Sequence, residues 1–344
     1  MQFILNNKIM KNKFSILFIL LLIFSSINAQ EVLKLGIIGL DTSHSTAFSH
    51  LINSGKEEKF SKGFRVVAAY PYGSKTIKSS YERIPGYAEK VKADGVEIVS
   101  SIKELIDKSD CILLETNDGR MHLEQAVEVF KSGKKCFIDK PVGATLGEAI
   151  AIYKLAEKYN TPVFSSSALR FTPKNQQIKN GEFGKIMGAD CYCIHKKEPT
   201  HPDFGFYGIH GIETLFTVMG SGCKYVNRMS SEIGDVVVGQ WEDGRVGTYR
   251  ALIKGAQPYG GTVFTEKEKI EAGGYEGYKC LLEQILKFFQ TGFTPVQKEE
   301  TIEIFTFMKA SNMSKENNGR IISMEDAYKE GCKEAEKLLK KFDK

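Results

Sequence analysis

The chain lacks most of the features that would place it quickly. It has one tryptophan and nine prolines, and no tandem repeat or low-complexity tract. Its seven cysteines are odd in number and show no metal-ligand spacing, so neither a zinc module nor a required disulfide framework is expected, and no metal site is read from the sequence. No apolar run reaches the roughly 20 residues of a membrane span. No acid occurs in residues 1–29, and no Arg-Arg pair precedes the apolar run there, which excludes a twin-arginine signal. No cysteine follows that segment to carry a lipid.

That N-terminal stretch carries the first positive information. Lys8, Lys11 and Lys13 precede the apolar run Phe14–Phe24, and Ser25-Ser26-Ile27-Asn28-Ala29 follows. This order of basic, apolar and small residues predicts a Sec-type signal peptide, residues 1–29, cut after Ala29. The mature chain is then expected in the periplasm or outside the cell, without stable membrane insertion; an uncleaved N-terminal membrane anchor is the alternative. Loss of the three lysines takes the formal charge from +5 to +2. A nearly neutral chain gives no electrostatic reason to bind nucleic acid.

From Val32 to Ser165, short apolar runs alternate with helical patterns. Strands are expected at Val32–Ile38, Phe64–Tyr70, Glu97–Val99, Cys111–Glu115, Lys135–Ile138 and Pro162–Ser165. Helices are expected at Met121–Lys131 and Leu146–Tyr159, and Ser101/Glu104 and Thr145/Glu148 have capping-box spacing. Such alternation predicts an α/β fold with a doubly wound parallel sheet, residues 30–168. Beyond Arg170, Lys185–His195, Asp235–Gln240 and Arg245–Ile253 read as strands of a mostly antiparallel sheet, backed by helices such as Tyr278–Phe289. Residues 169–344 are therefore expected to form an α+β domain whose open sheet supplies a substrate face and a homo-oligomer contact. Met324–Phe342 reads as a solvated surface helix.

The segment Cys136-Phe137-Ile138-Asp139-Lys140-Pro141 delivers a lysine at the carboxyl end of a buried strand, where open α/β sheets bind ligands. The first strand–helix turn is Gly39-Leu40-Asp41-Thr42-Ser43-His44. A dinucleotide fingerprint needs glycine at 39, 41 and 44, and only Gly39 is present. Asp41 either puts a negative charge beside the pyrophosphate or caps the helix, and Thr42 and Ser43 offer donors at its N-terminus. If that charge is in conflict with phosphate, Asp41→Gly should tighten dinucleotide binding. The second strand ends at Tyr70 without the acid that holds a ribose; Ser74 and Lys75 would tolerate a 2′-phosphate or simply form a polar turn. Thr116, Asn117 and His122 would border the nicotinamide, or Asn117 and Asp118 start the next helix. His195, His201 and Asp203 match no ligand spacing, and Phe204, Phe206 and Tyr207 would stack on a sugar or pack in the core.

In this order, Asp139-Lys140-Pro141, Thr116 to His122, Leu169-Arg170-Phe171 and Gly208-Ile209-His210-Gly211-Ile212-Glu213 resemble the Gfo/Idh/MocA oxidoreductases, named for glucose–fructose oxidoreductase, inositol dehydrogenase and a rhizopine-catabolism protein. The resemblance runs over nearly all of the mature chain. It implies an NAD- or NADP-dependent oxidoreductase acting on a carbohydrate, with Lys140 orienting substrate and relaying protons and His210 as general base. The family's aspartate four residues before this histidine is Phe206 here, leaving Tyr207 as the nearest polar substitute. Arg170 and Glu213 are the expected substrate contacts, with orientation of His210 the alternative role for Glu213. The cofactor set implied is Gly39, Leu40, Asp41, Thr42, Ser43, His44, Tyr70, Ser74, Thr116, Asn117, His122, Asp139 and Lys140. The poor fingerprint and the export signal keep two alternatives open: a non-redox, glycosidase-like enzyme with a trapped cofactor, and a cofactor-free carbohydrate-binding protein. The central spatial expectation is that Lys140 and His210 share one crevice beside the first strand–helix turn.

Overall fold

A computed structural model describes residues 32–56 and 58–342. The expected signal segment lies outside them. Among the described residues, no helix is long and apolar enough to cross a membrane.

Six strands form a parallel sheet: β1 (Leu33–Ile38), β2 (Phe64–Tyr70), β3 (Glu97–Ile98), β4 (Cys111–Leu114), β5 (Cys136–Ile138) and β6 (Val163–Phe164). Their spatial order is β3-β2-β1-β4-β5-β6, so the winding direction reverses between β1 and β4. That reversal opens the topological switch point at the carboxyl edge of the sheet. Seven strands form the second sheet: β7 (Ile186–Ile194), β8 (Cys223–Ser230), β9 (Gly234–Trp241), β10 (Val246–Leu252), β11 (Gly260–Thr265), β12 (Lys269–Ala272) and β13 (Ile322–Ser323). All its pairs are antiparallel except β7 with β10. The longer helices are α1 (Ser43–Asn53), α2 (Ile84–Ala93), α3 (Ile102–Lys108), α4 (Gly119–Lys131), α5 (Leu146–Lys158), α6 (Ile209–Met219), α7 (Lys279–Thr291), α8 (Lys298–Glu316) and α9 (Met324–Leu339).

β4 is apolar at every position because both faces of a parallel sheet are covered. Leu113, Phe137 and Phe164 pack on one face with Phe48 of α1; Ile112, Leu114 and Ile138 pack on the other with α4 and α5. Two helices depart from expectation. α7 does not back the antiparallel sheet: Leu282, Ile285, Phe288 and Phe289 bury against Phe137 and Phe164 of the first sheet. α9 is not simply solvated, since Gly331 sits where a Cβ would lie 2.3 Å from Leu146 of α5. Ser101 caps α3, and Thr145 with Glu148 forms the full capping box of α5.

Candidate functional site

Lys140 is the second residue after β5, in a cis Lys140–Pro141 peptide, and His210 lies in the first turn of α6. The two side chains, 70 residues apart in sequence, line one cavity of about 210 Å³ together with Thr42, Ser43, His44, Asn117, Asp139 and Ser167. The Lys140 ammonium stands 5.7 Å from the centre of the Tyr207 ring, and that ring packs edgewise on His210. Tyr259, Tyr275 and Tyr278 complete the wall, with the Tyr278 hydroxyl 2.8 Å from Ser43 Oγ.

His210 is held from behind. Its Nδ1 lies 2.7 Å from Ser167 Oγ, which also accepts the Leu169 N–H. Glu213, one turn along α6, accepts the Ser167 N–H at 2.8 Å and the Ser166 hydroxyl. Glu213 thus orients the base through Ser167 and does not line this cavity. Burial, and then the charge of Lys140, hold the His210 imidazole well below its ordinary pKa, so it is neutral near pH 7.

Several expected site residues serve the scaffold instead. Arg170 is fully buried, donating from Nε to Glu213 at 2.7 Å and from Nη1 to Glu300 at 2.6 Å; neither Arg170 nor Glu213 is available to a substrate. His122 is also fully buried, its ring nitrogens 2.9 Å from the Pro141 carbonyl and 2.6 Å from that of Thr116, so it ties two turns together rather than facing the cavity. Tyr70 stacks on Tyr72 outside the cavity. Ser74 is buried and donates to Asp118 at 2.7 Å, which removes it as a 2′-phosphate contact.

The first turn keeps the geometry of its single glycine. Gly39 has φ of 91°, and a Cβ there would lie 2.5 Å from the Thr116 nitrogen. Leu40 and Thr116 are buried. Asp41 neither caps α1, whose N-cap is Thr42, nor faces the cavity. Its carboxylate turns inward and accepts the N–H groups of Asn117 at 3.0 Å and Ser74 at 3.1 Å. Burial pushes it up to about 6, against those two hydrogen bonds.

These bonds belong to a larger bridge. Gly73 packs on Asp41 closely enough that a Cβ would lie 2.5 Å from Oδ2. Asn117 donates to Ser80, Arg120 donates to Thr76, and Arg83 reaches the Asp41 carbonyl. Residues 73–83 follow β2, yet they pass over β1 to bond groups beyond the end of β4. They therefore lie across the switch point.

On the cavity floor, His44 Nδ1 is 3.0 Å from Asp139 and 3.6 Å from Glu115, all three buried. Burial opposes charge on His44, but Asp139 and then Glu115 outweigh it and push the imidazole up to about 10. Burial likewise opposes charge on Asp139, whose pKa His44 nevertheless holds below the usual carboxylate value.

The fold joins a Rossmann-like parallel sheet to a second, mostly antiparallel sheet, and a polar cavity lies at the switch point of the first. Residues 33–167 match the model of the Gfo/Idh/MocA oxidoreductase family, described as having an NAD-binding Rossmann fold. No curated protein sequence matches the chain. Solved structures share the fold. A "probable dehydrogenase" from Thermotoga maritima superposes with a TM-score of 0.68 at 19% identity, over 86% of this chain and 100% of that one. Scyllo-inositol dehydrogenase from Lactobacillus casei, with bound NAD(H) and scyllo-inositol, gives 0.69 at 15% identity over 86% and 100%. An NAD-binding protein from Listeria innocua gives 0.63 at 16% over 87% and 99%.

The family's cofactor meets these residues unevenly. The N-terminus of α1 suits a phosphate, and the cavity with Lys140 and His210 suits the reactive end. The remainder does not fit while residues 73–83 cross the switch point, and about 210 Å³ is below the roughly 300–1,000 Å³ of ordinary small-molecule sites. Binding a whole dinucleotide requires that segment to move.

Sequence reasoning missed Ser167, Tyr259, Tyr275 and the covering role of residues 73–83. The triple serine Ser165-Ser166-Ser167 at the end of β6 was the available signal, because a strand's carboxyl end faces the crevice.

Proposed function

We propose that the protein is an oxidoreductase acting on a hydroxyl of a sugar or cyclitol, and that the reacting carbon sits between Lys140 and His210. One observation carries this reading: a lysine at the end of the first sheet and a neutral histidine beside the second share a single cavity, lined also by three hydroxyl side chains (Thr42, Ser43, Ser167) and four tyrosines. Oxidising an alcohol removes a proton from oxygen and a hydride from carbon. With Nδ1–H donating to Ser167 Oγ, His210 keeps Nε2 as the acceptor for that proton. The Lys140 ammonium donates to the same oxygen and stabilises the charge it develops. Tyrosine faces suit the apolar side of a pyranose or cyclitol ring. The nicotinamide, when bound, supplies the hydride acceptor.

The bridge at residues 73–83 favours one variant of this reading, a cofactor that is retained rather than freely exchanged. The N-terminal pattern supports export of the mature chain, which N-terminal sequencing of secreted protein would check. Native mass spectrometry of the purified protein tests the function. A copurifying dinucleotide, or one bound on addition, supports it. Protein with none, and with no thermal shift from NAD(H) or NADP(H), would leave a cofactor-free binding protein.

A further inference from the structure

His44, Glu115 and Asp139 reach one point from three separate segments: the first turn of α1, the residue after β4 and the residue after β5. One ligand-capable atom from each lies within 4.8 Å of the other two, and all three residues are buried. Acidic clusters alone say little, but here the hydrogen bonding fails. Glu115 has no exposed surface, yet neither of its carboxylate oxygens has a hydrogen-bond partner, and His44 Nδ1 has none either. The 3.0 Å approach of His44 Nδ1 to Asp139 does not have hydrogen-bond geometry. A buried carboxylate whose charged partner, His44 at 3.6 Å, forms no hydrogen bond to it calls for an explanation, an ion being one.

The separations suit one. Metal–nitrogen and metal–oxygen bonds of about 2.0–2.2 Å put two ligand atoms about 3.0 Å apart at a right angle and about 3.6 Å apart near 120°. His44 Nδ1 stands 3.0 Å from Asp139 Oδ1 and 3.6 Å from Glu115 Oε2. Two carboxylates and a neutral imidazole carry a charge of −2, which a divalent cation cancels, the ion taking the place of a proton on His44. The supports are also present. The Lys140 N–H donates to Asp139 Oδ1 at 2.8 Å, and the His44 ring is fixed between Phe48 and Tyr278. His44 and Asp139 both line the cavity, so a further coordination position faces the space where a substrate would sit. Three protein ligands with an open position are the arrangement of catalytic rather than structural metals. The nearby opposing charge is the Lys140 ammonium, which leans over Tyr207.

We propose that His44, Glu115 and Asp139 bind one divalent cation of the zinc or manganese class, with an open coordination position directed into the cavity. A bound ion there would hold a substrate oxygen opposite His210. The site stands on this geometry alone and not on the dinucleotide reading, so each fails separately: one by metal analysis, the other by dinucleotide binding.

The test uses the mature chain stripped with a chelator, then equilibrated with Zn²⁺ or Mn²⁺ at micromolar concentration. Elemental analysis should find one ion per chain, and the ion should raise the thermal midpoint. Glu115→Gln keeps the side-chain shape but removes the charged ligand. It should weaken the ion by more than the roughly 10–100-fold typical of losing a mere supporting contact, and Asp139→Asn should do the same. Wild-type protein that retains no ion, or variants that bind it as well as wild type, would overturn the proposal. Should the variants fail to fold, wild-type stoichiometry still decides, and bound Co²⁺ would report nitrogen and oxygen ligation by its spectrum.

Discussion

Replacing Arg170 with methionine separates a structural arginine from a substrate-binding one. The guanidinium has no exposed surface and holds Glu213 at 2.7 Å and Glu300 at 2.6 Å. Removing one partner of a buried ion pair costs roughly 3–5 kcal/mol, because a charge is left behind without compensation. Two features moderate the figure. Glu213 keeps the Ser166 hydroxyl and the Ser167 N–H, and the Glu300 side chain is 18% exposed and can turn to water. The lower end, about 3 kcal/mol, is therefore expected for Arg170→Met. Adding Glu213→Gln removes the stranded charge and should recover about 1 kcal/mol or more of that loss, a non-additivity of the kind coupled pairs show. Urea unfolding of wild type, both single variants and the double variant supplies all four values. A loss below about 1 kcal/mol for Arg170→Met, accompanied by weaker substrate binding, would refute the burial argument and return Arg170 to the substrate.

Four further outcomes are expected. His210→Asn should lower turnover about 10²–10⁴-fold with an unchanged fold. Lys140→Met should also lower it, and in its residual activity should move the acid limb of the kcat/KM profile upward, since the lysine's charge helps hold His210 below its ordinary pKa. A limb that stays in place would break that link. Asp41→Ala should destabilise the protein more at pH 4 than at pH 7. The wild-type carboxyl is raised from 3.8 to about 6, so its contribution is fully present below 3.8 and fades as pH rises through 6, by up to about 3 kcal/mol; a pH-independent penalty in urea titrations would contradict this. Ser74→Ala breaks the buried bond to Asp118 and should loosen residues 73–83, raising dinucleotide affinity in calorimetry. Unchanged affinity would show that this segment does not limit access.

The first sheet was legible because its strands are mostly buried on both faces: Phe64–Tyr70 is apolar apart from Arg65, and the observed strand has the same bounds. β8, β11 and β12 were not picked out, since each exposes one face and mixes polar with apolar residues. The pairing of Lys140 with His210 could be placed by order and strand ends, because β5 and α6 carry recognisable motifs. Arg170, Glu213 and His122 could not be assigned from their chemistry alone. A charged side chain reads the same whether it meets a substrate or a buried partner, and here Glu213 and Glu300 for Arg170, and two carbonyls for His122, decide the matter. Asp41 shows the same limit. Its charge in the first turn suggested conflict with phosphate, but the side chain turns away to anchor residues 73–83, so Asp41→Gly would remove that anchor as well as a charge.

The account rests on Lys140 and His210 working on one hydroxyl in their shared cavity, and label transfer tests it most directly. Wild-type and His210→Asn proteins would be incubated with NAD(H) or NADP(H) and sugars or cyclitols deuterated at the carbinol carbons. A retained and an exchanging cofactor would both move the label. Deuterium leaving carbon with the wild type but not with His210→Asn is the predicted result. Label that stays on every substrate, or that leaves equally fast without the imidazole, would contradict it.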